Sequence, residues 1–196
     1  STVGWRFENP KMDAMYPIVS LGETAEKIAE ELEISRKDQD KFSLESQQKA
    51  IDAINQGKFK NEICPISVPQ RKGDPLIVDI DEHPRYKREN SEYSIDLTLE
   101  KLSSLKPIFR KNGNVTAGNS SGINDGATAV LLMSREKADE LGLKPLARWV
   151  GSAVAGVDPS IMGYGPVPST EKLLNRFDLT LDDIGLIELN EAFASQ

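Results

Sequence analysis

Between residues 21 and 32 the apolar positions Leu21, Ala25, Ile28, Ala29 and Leu32 recur at three- and four-residue steps. That spacing predicts one amphipathic helix with a single packed face. Ser35 followed by Asp38 marks a second helix start. The run 36–56, carrying Phe42, Leu44, Ile51 and Ile54, predicts a longer helix with Gly57 as its stop. Past Lys58 the period changes. Runs 63–68 and 76–80 read as short strands separated by Pro69, Gly73, Asp74 and Pro75, whereas the charged segment 81–92, with Pro84, reads as an exposed loop. Another helix, over 98–105, ends ahead of Pro107. The second half alternates: strand 127–133, helix 135–141 closed by Gly142, strand 146–154, helix 169–177 and strand 184–189. Strands alternating with helices predict an α/β layered sheet of βαβ type.

Composition narrows the class. The 196 residues can form one domain or two small ones, and 38% hydrophobic with 28% charged residues fits a folded chain. No apolar run reaches the roughly 20 residues of a membrane helix, and no secretory signal is present, so no membrane partner is expected. A formal charge of −7 argues against nucleic-acid binding, which neutralises phosphates with Lys and Arg. Lys58, Lys60, Arg71, Lys72, Arg85, Lys87 and Arg88 crowd one stretch and read mainly as a solvated face. Cys64 is the only cysteine, which leaves no internal disulfide and fits a reducing, cytoplasmic setting. Beside Pro65 in a β-like run it reads as a buried, inert thiol. His83 is the only histidine and lies in the charged loop, so no histidine metal cluster is possible and no metal is expected.

Three places could carry chemistry. Asn190 and Glu191 follow the apolar run 184–189, and ligands in layered α/β folds sit beyond the carboxyl ends of strands. An Asn amide in a sheltered site can stabilise charge developing on oxygen. Asn190 equally suits a helix cap, which spacing alone favours. The stretch 115–126 is dense in small residues; it permits close approach of a ligand or backbone, or makes a tight turn, and spacing does not choose between them. Residues 162–168 read as a structured turn into the helix after Ser169, since Pro168 takes the third glycine position of a dinucleotide fingerprint.

Together these segments resemble the thiolase family. VTAGNSSGINDGATAVLLMS, from Val115 to Ser134, closely resembles the family's pantetheine-channel segment. Met162 to Pro168 is similar to M-G-x-G-P-V-P, and Leu189 to Phe193 matches L-N-E-A-F. Gly22 with Thr24, Ala25 and Glu26 is similar to M-G-x-T-A-E, and the likeness spans essentially the whole chain. The resemblance implies a thiolase-like layered α/β fold, incomplete in this chain, with an α+β loop domain. It implies a loop domain over 1–123 that covers the active site and supports assembly, the end of the N-terminal half over 124–145, and the start of the C-terminal half over 146–196. Strands 127–133 and 184–189 should then lack neighbours.

By the same resemblance, Asn190 is the catalytic candidate, holding a water at the oxyanion hole. Ser121, Ala117 and Ile123 match pantetheine contacts, Phe109 an aromatic at that channel, Met162 and Phe193 the acyl pocket, and Arg85 a contact to the nucleotide end of coenzyme A. Coenzyme A enters as substrate rather than as a bound cofactor. The implied activity is acyl transfer between 3-ketoacyl-CoA and CoA in fatty-acid metabolism and β-oxidation, by a homo-oligomer (dimer or tetramer). The family's mechanism passes the acyl group through a cysteine thiolate, with a second cysteine moving the proton and a histidine as activator. Those three residues belong to motifs outside this stretch, and Cys64 and His83 occupy unrelated positions. The chain alone is therefore expected to be inactive. Ser20-Leu21, where many short-chain thiolases have His-Met, and the opening Gly4-Trp5-Arg6-Phe7 look closer to the degradative type. A non-catalytic acyl-CoA-binding or oligomerisation module is the alternative.

Overall fold

The computed structural model describes residues 6–90 and 92–196; Gly4, Trp5 and Ser91 lie outside the described residues. Helix α1 (Pro10–Asp13) opens the described chain because Asn9 Oδ1 accepts from Lys11 N and Pro10 supplies the first helical φ. Helix α2 (Leu21–Glu31) is capped by Ser20 and α3 (Arg36–Asn55) by Ser35. Both match the period read from the sequence, and Gly57, at φ +66, follows the end of α3. Burial follows the stripe only in part. Ala25, Ile28, Ala29 and Ile51 are enclosed, while Leu21, Leu32 and Phe42 stay exposed.

Polar side chains fill much of the remaining interior. Glu26 on α2 is 3% exposed, and its carboxylate accepts from Asn114 N (2.8 Å) and Val115 N (2.9 Å). Asp40 on α3, also 3% exposed, accepts from Arg36 Nε (2.8 Å) and from Asn119 Nδ2 (3.1 Å). Arg36 Nη2 donates onward to the carbonyls of Leu102 (2.7 Å) and Leu105 (3.1 Å), tying α3 to the end of helix α4 (Leu99–Ser103). A buried carboxylate persists only when its lone pairs are satisfied, and these contacts satisfy them.

Two antiparallel hairpins are the only sheets among the described residues. Strands β1 (Ile66–Val68) and β2 (Leu76–Val78) pair Ile66 with Val78 and Val68 with Leu76. The hairpin is exposed, and Cys64 just ahead of it is exposed rather than buried, because the chain before Ile66 joins no sheet. Strands β3 (Tyr86–Glu89) and β4 (Glu92–Ile95) replace part of the loop expected over 81–92. Tyr86 and Tyr93 meet edge-on at 4.9 Å, Arg88 lies over the Tyr93 ring, and Asn90 takes the left-handed φ of +48 that a tight hairpin turn needs. The second hairpin packs on α3, where Asn55 Nδ2 donates to Tyr93 O and Asn55 Oδ1 accepts from Tyr93 N.

In the second half the expected helices form as α5 (Arg135–Glu140) and α6 (Pro166–Arg176), the latter starting ahead of Ser169. A short 3-10 helix (Pro159–Tyr164) packs against α2, so Met162 and Gly163 are already in a helical turn. The three expected strands at 127–133, 146–154 and 184–189 do not form. A strand's hydrogen bonds lie between strands rather than within one, and among the described residues these runs have no ladder partner. Runs 127–133 and 184–189, which the resemblance implied should lack neighbours, are exposed, Leu131 at 77% and Leu186 at 78%, whereas α6 reaches 146–154 through Arg176 Nη1 to Ser152 O (2.8 Å) and Lys172 Nζ to Val154 O (3.1 Å).

Asp40→Ala removes the shared acceptor of Arg36 and Asn119. Urea unfolding should show a loss of roughly 3 kcal/mol, the usual cost of breaking a buried charge pair from one side. A loss below about 1 kcal/mol, the scale of a surface pair, would mean that Asp40 holds nothing of weight.

Candidate functional site

The turn 116–121 is built around Asn119, which is 2% exposed. Its Oδ1 accepts from Thr116 N at 2.7 Å, and its Nδ2 donates to Asn114 O (3.0 Å) and Asp40 Oδ1 (3.1 Å). Ser120 Oγ closes the same turn by donating to Thr116 O at 2.7 Å. Antiparallel to it runs the segment after Asn190. Ser121 N donates to Ala192 O and Ala194 N to Asn119 O, both at 2.9 Å, with Ser120 bridged to Phe193. Among the described residues no helix begins at Glu191, and Asn190 caps none.

Where these two segments meet α3, a groove of about 560 Å³ opens. Asn190 and Ser121 both line it, beside Ser46, Gln47, His83 and Glu191. The Glu191 carboxylate accepts from the Ser46 hydroxyl, which pins the residue after Asn190 to α3. Asn190 itself is exposed, and among the described residues its amide makes no hydrogen bond. An uncommitted amide in such a groove can donate to and accept from a ligand or a water.

The other residues singled out from sequence stand elsewhere. Phe109 and Phe193 form an edge-to-face pair at 6.2 Å, and Phe109 lies so close over Gly22 that a Cβ there would fall 2.2 Å from its ring. Arg110 holds this pair against α2 through ion pairs to Glu23 (3.0 Å) and Glu30 (2.9 Å). Met162 is 48% exposed on its 3-10 turn. Lys27 donates to Ser160 Oγ, which donates to Asp158, and the Ser160 hydroxyl and N–H hold the Asp158 carboxyl below its usual range. Ala117 and Ile123 are exposed, and neither lines the groove. Arg85 is exposed, its backbone N donating to Gln47 Oε1 at 2.8 Å. The groove thus joins Asn190 with Ser121 and leaves the aromatic pair and Met162 around α2.

Sequence reasoning missed His83, which the fold brings onto Gly122 in this groove, and the supporting pair Asp40 and Asn119. No local signal marks any of the three, since each contact joins residues far apart in the chain. Among the described residues no three His, Cys, Asp or Glu side chains gather as a metal site, and no helix is long and apolar enough to cross a membrane.

Residues 9–136 match the thiolase N-terminal domain and 143–196 the thiolase C-terminal domain. The chain is 48% identical over 196 residues to a beta-ketoadipyl-CoA thiolase of Acinetobacter baylyi, covering 100% of this chain and 47% of that protein. It is 50% identical to an acetyl-CoA acetyltransferase of Chromobacterium violaceum, covering 96% and 46%. The Bacillus anthracis acetyl-CoA acetyltransferase superposes at a TM-score of 0.84 with 46% identity, over 98% of this chain and 48% of that one. Human mitochondrial 3-ketoacyl-CoA thiolase in complex with CoA superposes at 0.80 with 43% identity, over 91% and 41%. The chain therefore spans about half the length of the curated relatives it matches, and its helices and few strands are a partial version of the layered α/β thiolase fold. With both domains matched in order and the fold shared at this level, the chain belongs to the thiolase family.

Proposed function

We propose that this chain is part of an acyl-CoA acyltransferase that moves an acyl group between 3-ketoacyl-CoA and CoA, by thiolytic cleavage or the reverse Claisen condensation. The observation that carries the reading is the shared groove of Asn190 and Ser121, with the turn behind Ser121 anchored to Asp40. In this role the Asn190 amide holds a water against the thioester or enolate oxygen, where charge develops in the transition state. Ser121, Ala117, Ile123 and Phe109 take the pantetheine arm, Phe193 and Met162 wall the acyl group, and Arg85 meets the nucleotide end. Coenzyme A is substrate, as the solved relative in complex with CoA supports. Residues 1–123 act as the loop domain, with 124–145 and 146–196 in the two catalytic halves.

Family placement supports work in fatty-acid metabolism and β-oxidation, and the lone cysteine supports a cytoplasmic setting. The β1–β2 hairpin supports a homodimer or homotetramer. Two-stranded hairpins are marginal in water, yet this one exposes Ile66, Leu76 and Ile77 at 63%, 54% and 55%.

Neither Cys64 nor His83 stands in a nucleophile or activator motif, so the 196-residue chain alone should release no free CoA thiol from acetoacetyl-CoA or longer 3-ketoacyl-CoA. Turnover by that chain would show the nucleophile to be misassigned. In the complete gene product, Asn190→Ala should lower kcat by roughly 10²–10³-fold, the usual loss for one oxyanion donor; a drop below about tenfold removes Asn190 from the mechanism. Ile66→Lys combined with Ile77→Lys should shift that product to a smaller assembly by light scattering. An unchanged mass would take the hairpin out of the interface.

A further inference from the structure

His83 stands in a charged segment, yet the chain around it is held. Two residues on, Arg85 N donates to Gln47 Oε1 at 2.8 Å and Arg85 O accepts from Asp96 N at 2.9 Å. Pro84 between them restricts the backbone further. From this fixed point the imidazole lies on Gly122, the residue after Ser121. A Cβ at Gly122 would fall 2.9 Å from both Cε1 and Nδ1 of the ring, so the missing side chain is what admits the imidazole.

The polar groups around the ring are mostly committed. Gln47 Oε1 takes the Arg85 N–H, Glu191 takes the Ser46 hydroxyl, and Ser120 Oγ donates to Thr116 O. Among the described residues, the His83 ring forms no hydrogen bond, and neither does the Asn190 amide. Glu188 and Glu191 also line the groove, so it disfavours a phosphate and suits a neutral chain of amides and carbonyls. An imidazole nitrogen can donate to such a carbonyl or accept from such an amide N–H.

We infer that His83 is a binding residue of the acyl-CoA groove, hydrogen-bonding an amide of the extended arm beside Ser121 and seated by Gly122. The inference rests on the acyl-transfer reading above. In the complete gene product, His83→Ala should raise KM for the CoA thioester roughly threefold to tenfold, as loss of one neutral hydrogen bond does, with kcat within about twofold. His83→Asn, which keeps a short donor and acceptor, should recover most of that loss. Gly122→Ala, which displaces the ring, should raise KM similarly with His83 present and add nothing on top of His83→Ala. Calorimetric titration of the same proteins with coenzyme A should show the same order in Kd. An unchanged KM and Kd in His83→Ala, or additive effects of the two substitutions, overturns the assignment. A wild-type protein that binds coenzyme A without turnover sinks the acyl-transfer reading but leaves the Kd comparison to decide on His83. No binding at all overturns both.

Discussion

One buried carboxylate organises the site. Asp40 has left water, so each of its oxygens must find a donor, and it finds them in Arg36 on its own helix and Asn119 on a distant turn. Because Asn119 also receives Thr116 N–H and its carbonyl receives Ala194 N–H, the position of one charge on α3 passes to both walls of the groove. Arg36 extends the same connection to the end of α4. Glu26 does for the strand-like approach at Asn114 and Val115 what Asp40 does for the turn that follows. Glu26 thus takes up two backbone N–H groups directly, and Asp40 holds the Asn119 side chain that takes up a third, Thr116 N–H, which is why an irregular segment can be buried here at all.

The same residues explain why Ser121 and Asn190 end up together without a ladder between long strands. Two backbone hydrogen bonds, which form the Ser120–Phe193 bridge, link 119–121 to 192–194, and Ser46 fixes Glu191 from α3. The groove is set by local polar links to helices, whereas the apolar runs on either side, 127–133 and 184–189, stand in solvent. Order in the site and order in the sheet are separable in this chain.

That separation decides what could be read from the sequence. Helices carry their own evidence: period, a Ser or Thr cap, a glycine stop. Ser35, Thr98 and Ser134 each cap the helix expected after them. Strands carry half of theirs, because a run such as 127–133 says that it is apolar and not what it pairs with. The hairpin at Tyr86–Glu89 and Glu92–Ile95 was hidden by its charge, since Tyr86 and Tyr93 become neighbours only once Asn90 turns the chain. Family likeness pointed to Asn190 and Ser121, which the fold brings to one groove. It was silent on Asp40, which acts across 79 positions of sequence, and on His83, which acts by lying against a glycine.

Exposure of the apolar runs bears on the chemistry as well as on the fold. A hydrogen bond from an amide such as Asn190 is worth little to a developing oxyanion in bulk water, because water competes for the oxygen and screens the charge. In this chain Asn190 is exposed, and so are Ile187 at 65% and Leu189 at 53% just ahead of it. In the acyl-transfer reading proposed above, a surface that covered Ile187, Leu189 and the Asn190 beside them would strengthen the amide's hydrogen bond to the substrate oxygen by excluding competing water.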